Sequence, residues 1–260
     1  MENSESMKRV ITTICFSLTI FYNLFAQNVD STNAIVNAEE AYKNQDYQTA
    51  ISLYESIIND GYESADLLFN LGNAYFKSGE LAKSLVYYEK AKLLAPNDKD
   101  IEHNLAFAYN QQPDNIEQIG DGFLVKIYQT IYRVFTVDTW AIIGIFCSVT
   151  FCVCLCLFLF SQTRNRKKIA LTISLCSLLI GTIAFCSAQS RYSELTSHEY
   201  AIVIEPTTSI KTEPMLNAMD LATIHGGLKV KVIDEAFGWL KISLGNGNEG
   251  WIIKDFVERI

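Results

Sequence analysis

Charge is scarce in this chain of 260 residues: only 19% are Asp, Glu, Lys or Arg, and 21 cations face 29 acids. A net charge of −8 and a pI near 5.0 leave no basic footprint for nucleic acid. Four prolines and 13 glycines exclude a collagen-like chain, and 12% aromatics exclude one that is wholly disordered. The three histidines are His103, His198 and His225. None has a cysteine partner outside the apolar blocks, and no Gly-rich phosphate loop precedes a helix. No catalytic motif is legible, so neither enzymatic activity nor a cofactor is expected, although a Ser–His–carboxylate set assembles in space and leaves no local signature. The seven cysteines are unevenly placed. Cys15 lies in the first apolar block, and Cys147, Cys152, Cys154, Cys156, Cys176 and Cys186 lie in the two later ones. The polar regions contain none, which excludes a disulfide framework there.

What is plentiful is apolar sequence, 49% of residues, collected in three blocks. The first, 10–21, follows Met7-Lys8-Arg9 and precedes Asn23-Leu24-Phe25-Ala26. A basic start, a short apolar run and a small residue at the cleavage point predict a signal peptide over 1–26; a short uncleaved anchor is the alternative. The blocks 140–160 and 169–188 each run ~20 residues without a charge, enough for ~30 Å of helix. They predict transmembrane helices at 139–161 and 169–189. Arg164, Arg166, Lys167 and Lys168 crowd the loop 162–168 between them, which the positive-inside rule assigns to the cytoplasmic side. Both outer ends then face away from the cytoplasm, the side to which the export signal sends the preceding residues. The expectation is a two-pass protein of the inner membrane, with N- and C-terminal domains on the periplasmic side. Cys152 and Cys156 share a helix face; cysteine as a small apolar residue explains them, and the metal alternative lacks a nearby His or carboxylate.

Residues 31–112 repeat at a period of 34. Ala38, Gly72 and Ala106 correspond, as do Ala50 and Ser84, and Tyr54 and Tyr88. The small residues let helices approach closely, and the large ones fill the gaps between them. Pro96 ends the second helix of the second unit, Asp98 or Asp100 caps the next, and Gly61 and Gly79 mark turns. This pattern resembles the tetratricopeptide repeat, with one departure: Ala41 stands where an aromatic is expected, and Tyr42 follows it. The resemblance implies a concave groove lined by first helices. It would present Lys43, Phe69, Asn70, Asn73, Lys77, His103, Asn104 and Phe107 to a partner protein. Asn amides can hold an extended peptide, and the lysines can meet a carboxylate; alternatively, Asn73 and Asn104 merely bridge helices. Two repeats and a solitary helix leave that last helix uncovered. A helix within the linker 113–137, with Phe123, Ile127, Ile131 and Val134 at helical spacing, either caps the array or lies in the membrane interface.

Beyond Tyr200 the period falls to two. Leu228, Val230 and Val232 alternate with lysines, and Leu240, Ile242 and Leu244 alternate with Trp239, Lys241 and Ser243. Turns are expected at Gly226-Gly227, Phe237-Gly238 and Gly245-Asn246-Gly247-Asn248. About five strands over 198–260 suggest a small barrel. The pairs Gly238-Trp239 and Gly250-Trp251 make it resemble a bacterial SH3 domain. Trp239 with Phe237 lines a ligand groove, or the loop from Pro214 to Asp220 covers Trp239; Trp251 is expected in the core.

The whole order is signal, all-α helical repeat, amphipathic segment, two-helix transmembrane hairpin and small all-β SH3-like barrel. It resembles the tetratricopeptide-bearing members of the Bat aerotolerance family. That resemblance implies a non-enzymatic membrane scaffold in a complex with von Willebrand A-type (vWA) membrane partners, linked to oxidative-stress tolerance. The second partner the barrel admits is a peptidoglycan stem peptide, which would make the chain a cell-wall-binding or envelope-sensing module. The membrane lipid itself is the remaining partner.

Overall fold

The computed structural model describes residues 33–114, 123–197 and 199–260. The expected signal at 1–26, part of the 113–137 linker and His198 lie outside the described residues. The first described segment, 33–114, holds five helices: α1 (33–43), α2 (Tyr47–Asn59), α3 (Ala65–Ser78), α4 (Leu81–Leu94) and α5 (Lys99–Tyr109). The starts of α2, α3 and α5 are set by short acceptors that satisfy free backbone N–H groups. The Asp46 side chain accepts from Thr49 N (3.2 Å), Ser64 Oγ from Leu67 N (3.1 Å), and Asp98 from Asp100 N and Ile101 N. Gly79 closes α3 at φ +88°, a left-handed turn that glycine adopts without steric cost. Ala38, Ala50, Leu71, Ala74, Tyr54 and Tyr75 form one buried cluster between the first helices. At Gly72 the ring of Tyr88 lies 2.7 Å from where a Cβ would be, so the close approach of α3 and α4 requires the missing side chain.

Two helices long and apolar enough to cross a membrane follow: α7 (Val137–Phe160), 24 residues, and α8 (Arg164–Thr196), 33 residues. They pack as an antiparallel hairpin. The α8 seam is a stripe of small residues at spacings of three, four and seven: Ala170, Ser174, Ser177, Ala184 and Ser187. Ser177 Oγ donates to the Cys147 carbonyl at 2.6 Å, and Gly181 brings the backbones together beside Cys147. Such contacts hold apolar helices together where lipid offers no hydrophobic driving force. Cys154 is buried in the same seam, while Cys152, Cys156, Cys176 and Cys186 face outward. The cations expected in a loop instead form the first turns of α8, and only 161–163 connect the helices. Arg and Lys propagate a helix readily, so the basic segment joins the span behind it.

Between the repeats and the hairpin lies α6 (Phe123–Tyr132). It packs against α8 and does not cap the repeats. Tyr128 Oη and Ser190 Oγ are 2.7 Å apart, and Trp140 Nε1 donates to the Tyr132 carbonyl at 3.0 Å. Leu124, Val125, Ile127 and Ile131 are exposed, an apolar surface beside the end of the hairpin.

The chain ends in a seven-stranded antiparallel sheet of order β3-β2-β6-β5-β4-β1-β7. The strands are β1 (Tyr200–Val203), β2 (Thr207–Lys211), β3 (Asp220–His225), β4 (Lys229–Ala236), β5 (Trp239–Ser243), β6 (Glu249–Ile253) and β7 (Val257–Arg259). All three expected turns join strands here. Phe237 and Gly238 both have positive φ, at 53° and 80°, the twist a two-residue hairpin needs. One core holds Val203, Ile210, Ile224, Val230, Leu240, Ile242, Ile252 and Val257. Two expectations change. There are seven strands, not about five, and the sheet is open, with β3 and β7 as its edges. Glu258 of β7 pairs with Lys90 of α4 at 2.7 Å, beside the place where α4 packs on β1. Trp251 is half-buried outside that core. Leu240 pairs with Ile252 and Lys241 with Trp251, so alternation turns Trp251 to the face opposite Ile252.

Candidate functional site

The first-helix surface is assembled from α3 and α5. Asn73 sits at its centre: its Oδ1 accepts from Tyr88 Oη (2.7 Å) and from Asn104 Nδ2 (2.9 Å). Both asparagines therefore brace helices. Aromatic rings flank the node. Phe69 lies 5.8 Å from Tyr88, and Phe76 lies 5.7 Å from Phe107 between centroids. Phe107 remains 53% exposed, an apolar ring held in place by a neighbour and open to a partner. Lys77 and His103 are exposed on the same two helices, and Asn70 is half-buried on α3. Lys43 pairs with Glu39 on its own helix at 3.7 Å. The structure thus links Phe69, Asn73 and Asn104 through Tyr88, and holds Phe107 against Phe76 as a separate pair on the same two helices.

On the sheet, Trp239 is 8% exposed and Phe237, at the hairpin tip, 94%. Whatever meets Phe237 finds little of the indole surface beside it.

A second arrangement is absent from any local motif. The sheet docks in the angle between α4 and α5. Ile202, Ile204 and Ile260 pack against Leu81, Leu85, Val86, Leu105 and Ala108. Gly226 and Gly227 approach Ala82 and Leu85 so closely that a Cβ at Gly227 would stand 2.9 Å from Leu85 Cδ1. Polar contacts rim this core. His225 N donates to Asp114 Oδ2 at 2.6 Å, and Lys90 Nζ reaches Glu258 Oε1 at 2.7 Å. The innermost contact is Glu89, which accepts from Lys229 Nζ (2.8 Å) and Tyr109 Oη (2.6 Å). Burial alone would raise the Glu89 pKa; the Lys229 ammonium and the hydrogen bonds from Lys229 and Tyr109 outweigh it and hold the carboxyl below its ordinary value. Burial, then the Glu89 carboxylate, pushes the Tyr109 phenol well up, so it stays a donor.

A pH dependence follows from the lowered Glu89 pKa. The charged carboxylate favours the docked state, so its contribution is complete above the ordinary value of 4.5 and is lost as pH falls through the lower docked value. Proteolysis of the full chain across that range is expected to cut between the repeats and sheet only on the acid side. Release of the sheet at neutral pH would contradict the assignment.

A polar clamp ties the repeats to the hairpin. Arg191, buried on α8, donates to the Leu93 carbonyl at the end of α4 and pairs with Glu194. Arg133, just past α6, donates from Nε to Glu194 Oε1 at 2.9 Å, and Asn97 Nδ2 donates to the Arg133 carbonyl at 3.2 Å. One carboxylate thus holds two guanidiniums at the junction of repeats, α6 and α8. Repeats and sheet consequently sit at the same end of the hairpin, opposite the 161–163 connection.

Residues 65–98 match the family model of the tetratricopeptide repeat. They span α3 and α4, the unit that supplies Phe69, Asn73 and Glu89. No curated protein matches the chain. Among the described residues, no group of three or more His, Cys, Asp or Glu is placed to hold a metal ion.

Proposed function

We propose that the chain is a membrane-anchored, non-enzymatic scaffold that binds a partner protein through the α3–α5 surface of its repeats. The observation that carries this reading is the exposed Phe107 ring, held by Phe76 beside the Asn73–Asn104 brace on a tetratricopeptide-like unit. Solenoid repeats of this kind use such faces to bind proteins. Anchoring is supported by two helices of membrane-spanning length and by the basic segment at their connection. That basic end faces the cytoplasm, and the repeats and the sheet lie together outside it. The sheet is a bacterial SH3-like domain whose role is to complete the repeat array. The architecture further suggests a place in a Bat-type complex with membrane proteins bearing vWA domains.

Phe107→Glu and Lys77→Glu change exposed side chains and leave the brace intact. In mild detergent, each variant is expected to retain its melting behaviour while recovering at least about fivefold less vWA-bearing membrane protein than the unaltered chain. Equal recovery from both variants would remove the α3–α5 surface as the binding site.

A further inference from the structure

At the end of the hairpin, a cleft of about 280 Å³ opens between the α4–α5 turn and the α6–α7 turn. Its walls differ in character. Leu94, Pro96, Val134 and Phe135 line one part, and Arg133 and Arg191 another. Glu194 is shared between the two guanidiniums, so the pair retains an excess positive charge. Asp98, also in the wall, spends its side chain capping the start of α5, a terminus that itself carries partial positive charge.

Depth decides what such a cleft can meet. The uncharged run of α8 ends at Ala188, and Arg191 lies three residues on, ~5 Å further along the axis. On the α7 side, Trp140 marks the start of the apolar run, with Val134 and Phe135 just outside it. The polar layer of a bilayer occupies about 5–8 Å beyond the hydrocarbon on each side. The cleft therefore stands at phosphate height, and the exposed apolar side chains of α6 and α7 flank it toward the acyl chains.

We propose that this cleft binds the phosphodiester of a glycerophospholipid. Arg133 donates to the phosphate oxygens, while Val134 and Phe135 pack on the glycerol and the first methylenes. Glu194 already takes the Nε and Nη2 donors of Arg133, so a phosphate meets the remaining Nη1 edge, and the graded walls suit a molecule that is polar at one end and apolar at the other. Because Arg133 and Arg191 also fasten α4 to α8, an occupied cleft would hold the repeats at a set height above the bilayer. This inference rests on the membrane-anchored reading.

The test uses the full chain in detergent micelles. Thermal unfolding is followed while dioleoyl-phosphatidylglycerol, dioleoyl-phosphatidylethanolamine, dioleoylglycerol or inorganic phosphate is added. Both phospholipids are expected to raise the midpoint saturably; dioleoylglycerol and inorganic phosphate are not. Val134→Trp, which fills the cleft and leaves the clamp in place, should abolish the response. Arg133→Lys keeps the charge but loses the Nη1 edge, and should weaken half-saturation by about tenfold. An equal response to dioleoylglycerol would make the effect a general lipid one. That result, an equal response to phosphate alone, no response to either phospholipid, or an unchanged response in Val134→Trp would overturn the proposal. Alkaline carbonate extraction separates the two levels. A chain washed from membranes overturns the anchored reading, whereas a chain that stays bound but ignores phospholipid overturns only the cleft.

Discussion

Glu89→Ala is expected to release the C-terminal sheet from the repeats at a cost of about 3–5 kcal/mol. Glu89 is buried, and two donors converge on it from different elements: Lys229 from β4 and Tyr109 from α5. Removing the carboxylate leaves an ammonium and a phenol without their acceptor in a site that water barely enters, and the uncompensated Lys229 carries most of the penalty. The apolar contact around Leu85, Ile202 and Ile260 remains but must open to rehydrate that charge. Hydrogen exchange should show faster exchange in α5 and β1, with the core of the sheet unaffected. The triple change Glu89→Leu, Lys229→Met and Tyr109→Phe removes all three polar groups together. It is expected to restore docking to within about 1 kcal/mol of the original, because apolar groups of similar size replace a buried ion pair at little cost. If Glu89→Ala left α5 exchange unchanged, the network would not be what holds the two parts together.

The second large effect is expected at Glu194. Glu194→Ala should cost about 3 kcal/mol at the junction, since it leaves two guanidiniums facing one another. Arg191 is only 3% exposed and cannot turn to water without leaving the Leu93 carbonyl. Arg133 is partly exposed and can, which places the expected cost toward the lower end of the range for buried pairs. The consequence is mechanical: Arg191, which ties α4 to α8 through the Leu93 carbonyl, loses the carboxylate that holds it in place, while the α7–α8 seam, sealed by Ser177 and the small-residue stripe, stays closed. A cysteine pair at Leu94 and Val134, two residues of the same cleft, should cross-link readily in the parent and at least about tenfold less in Glu194→Ala. Equal cross-linking would show that the repeats are held by other contacts.

These two sites also mark how far the amino-acid order could be read. The helix start at Asp98, the stop before Pro96 and the turns at Phe237-Gly238 and Gly245 to Asn248 are local events within a few residues, and each was legible. The period of 34 also exposed the shared small positions, because every repeat solves the same packing problem. Asn73 and Asn104 were legible as candidates, but not as partners of each other; their hydrogen bond depends on the separation of α3 and α5. Trp251 was misjudged because alternation alone does not say which face a core will occupy; only the pairing of Leu240 with Ile252 does. No local feature distinguishes Glu89 from any other acid on a helix, since its partner Lys229 lies 140 residues away.

Local order by itself determined the helical repeat, the two long apolar helices and the strand-rich end, because periodicity and turn chemistry act over a few residues. Tertiary structure alone decided that the sheet docks on α4 and α5, that α6 lies against α8, and that Arg191, held by Glu194, fastens α4 to the hairpin. Each of these depends on surfaces distant in the chain matching in shape and charge, and a side chain's neighbours in space are set by how whole elements pack, not by the residues that flank it.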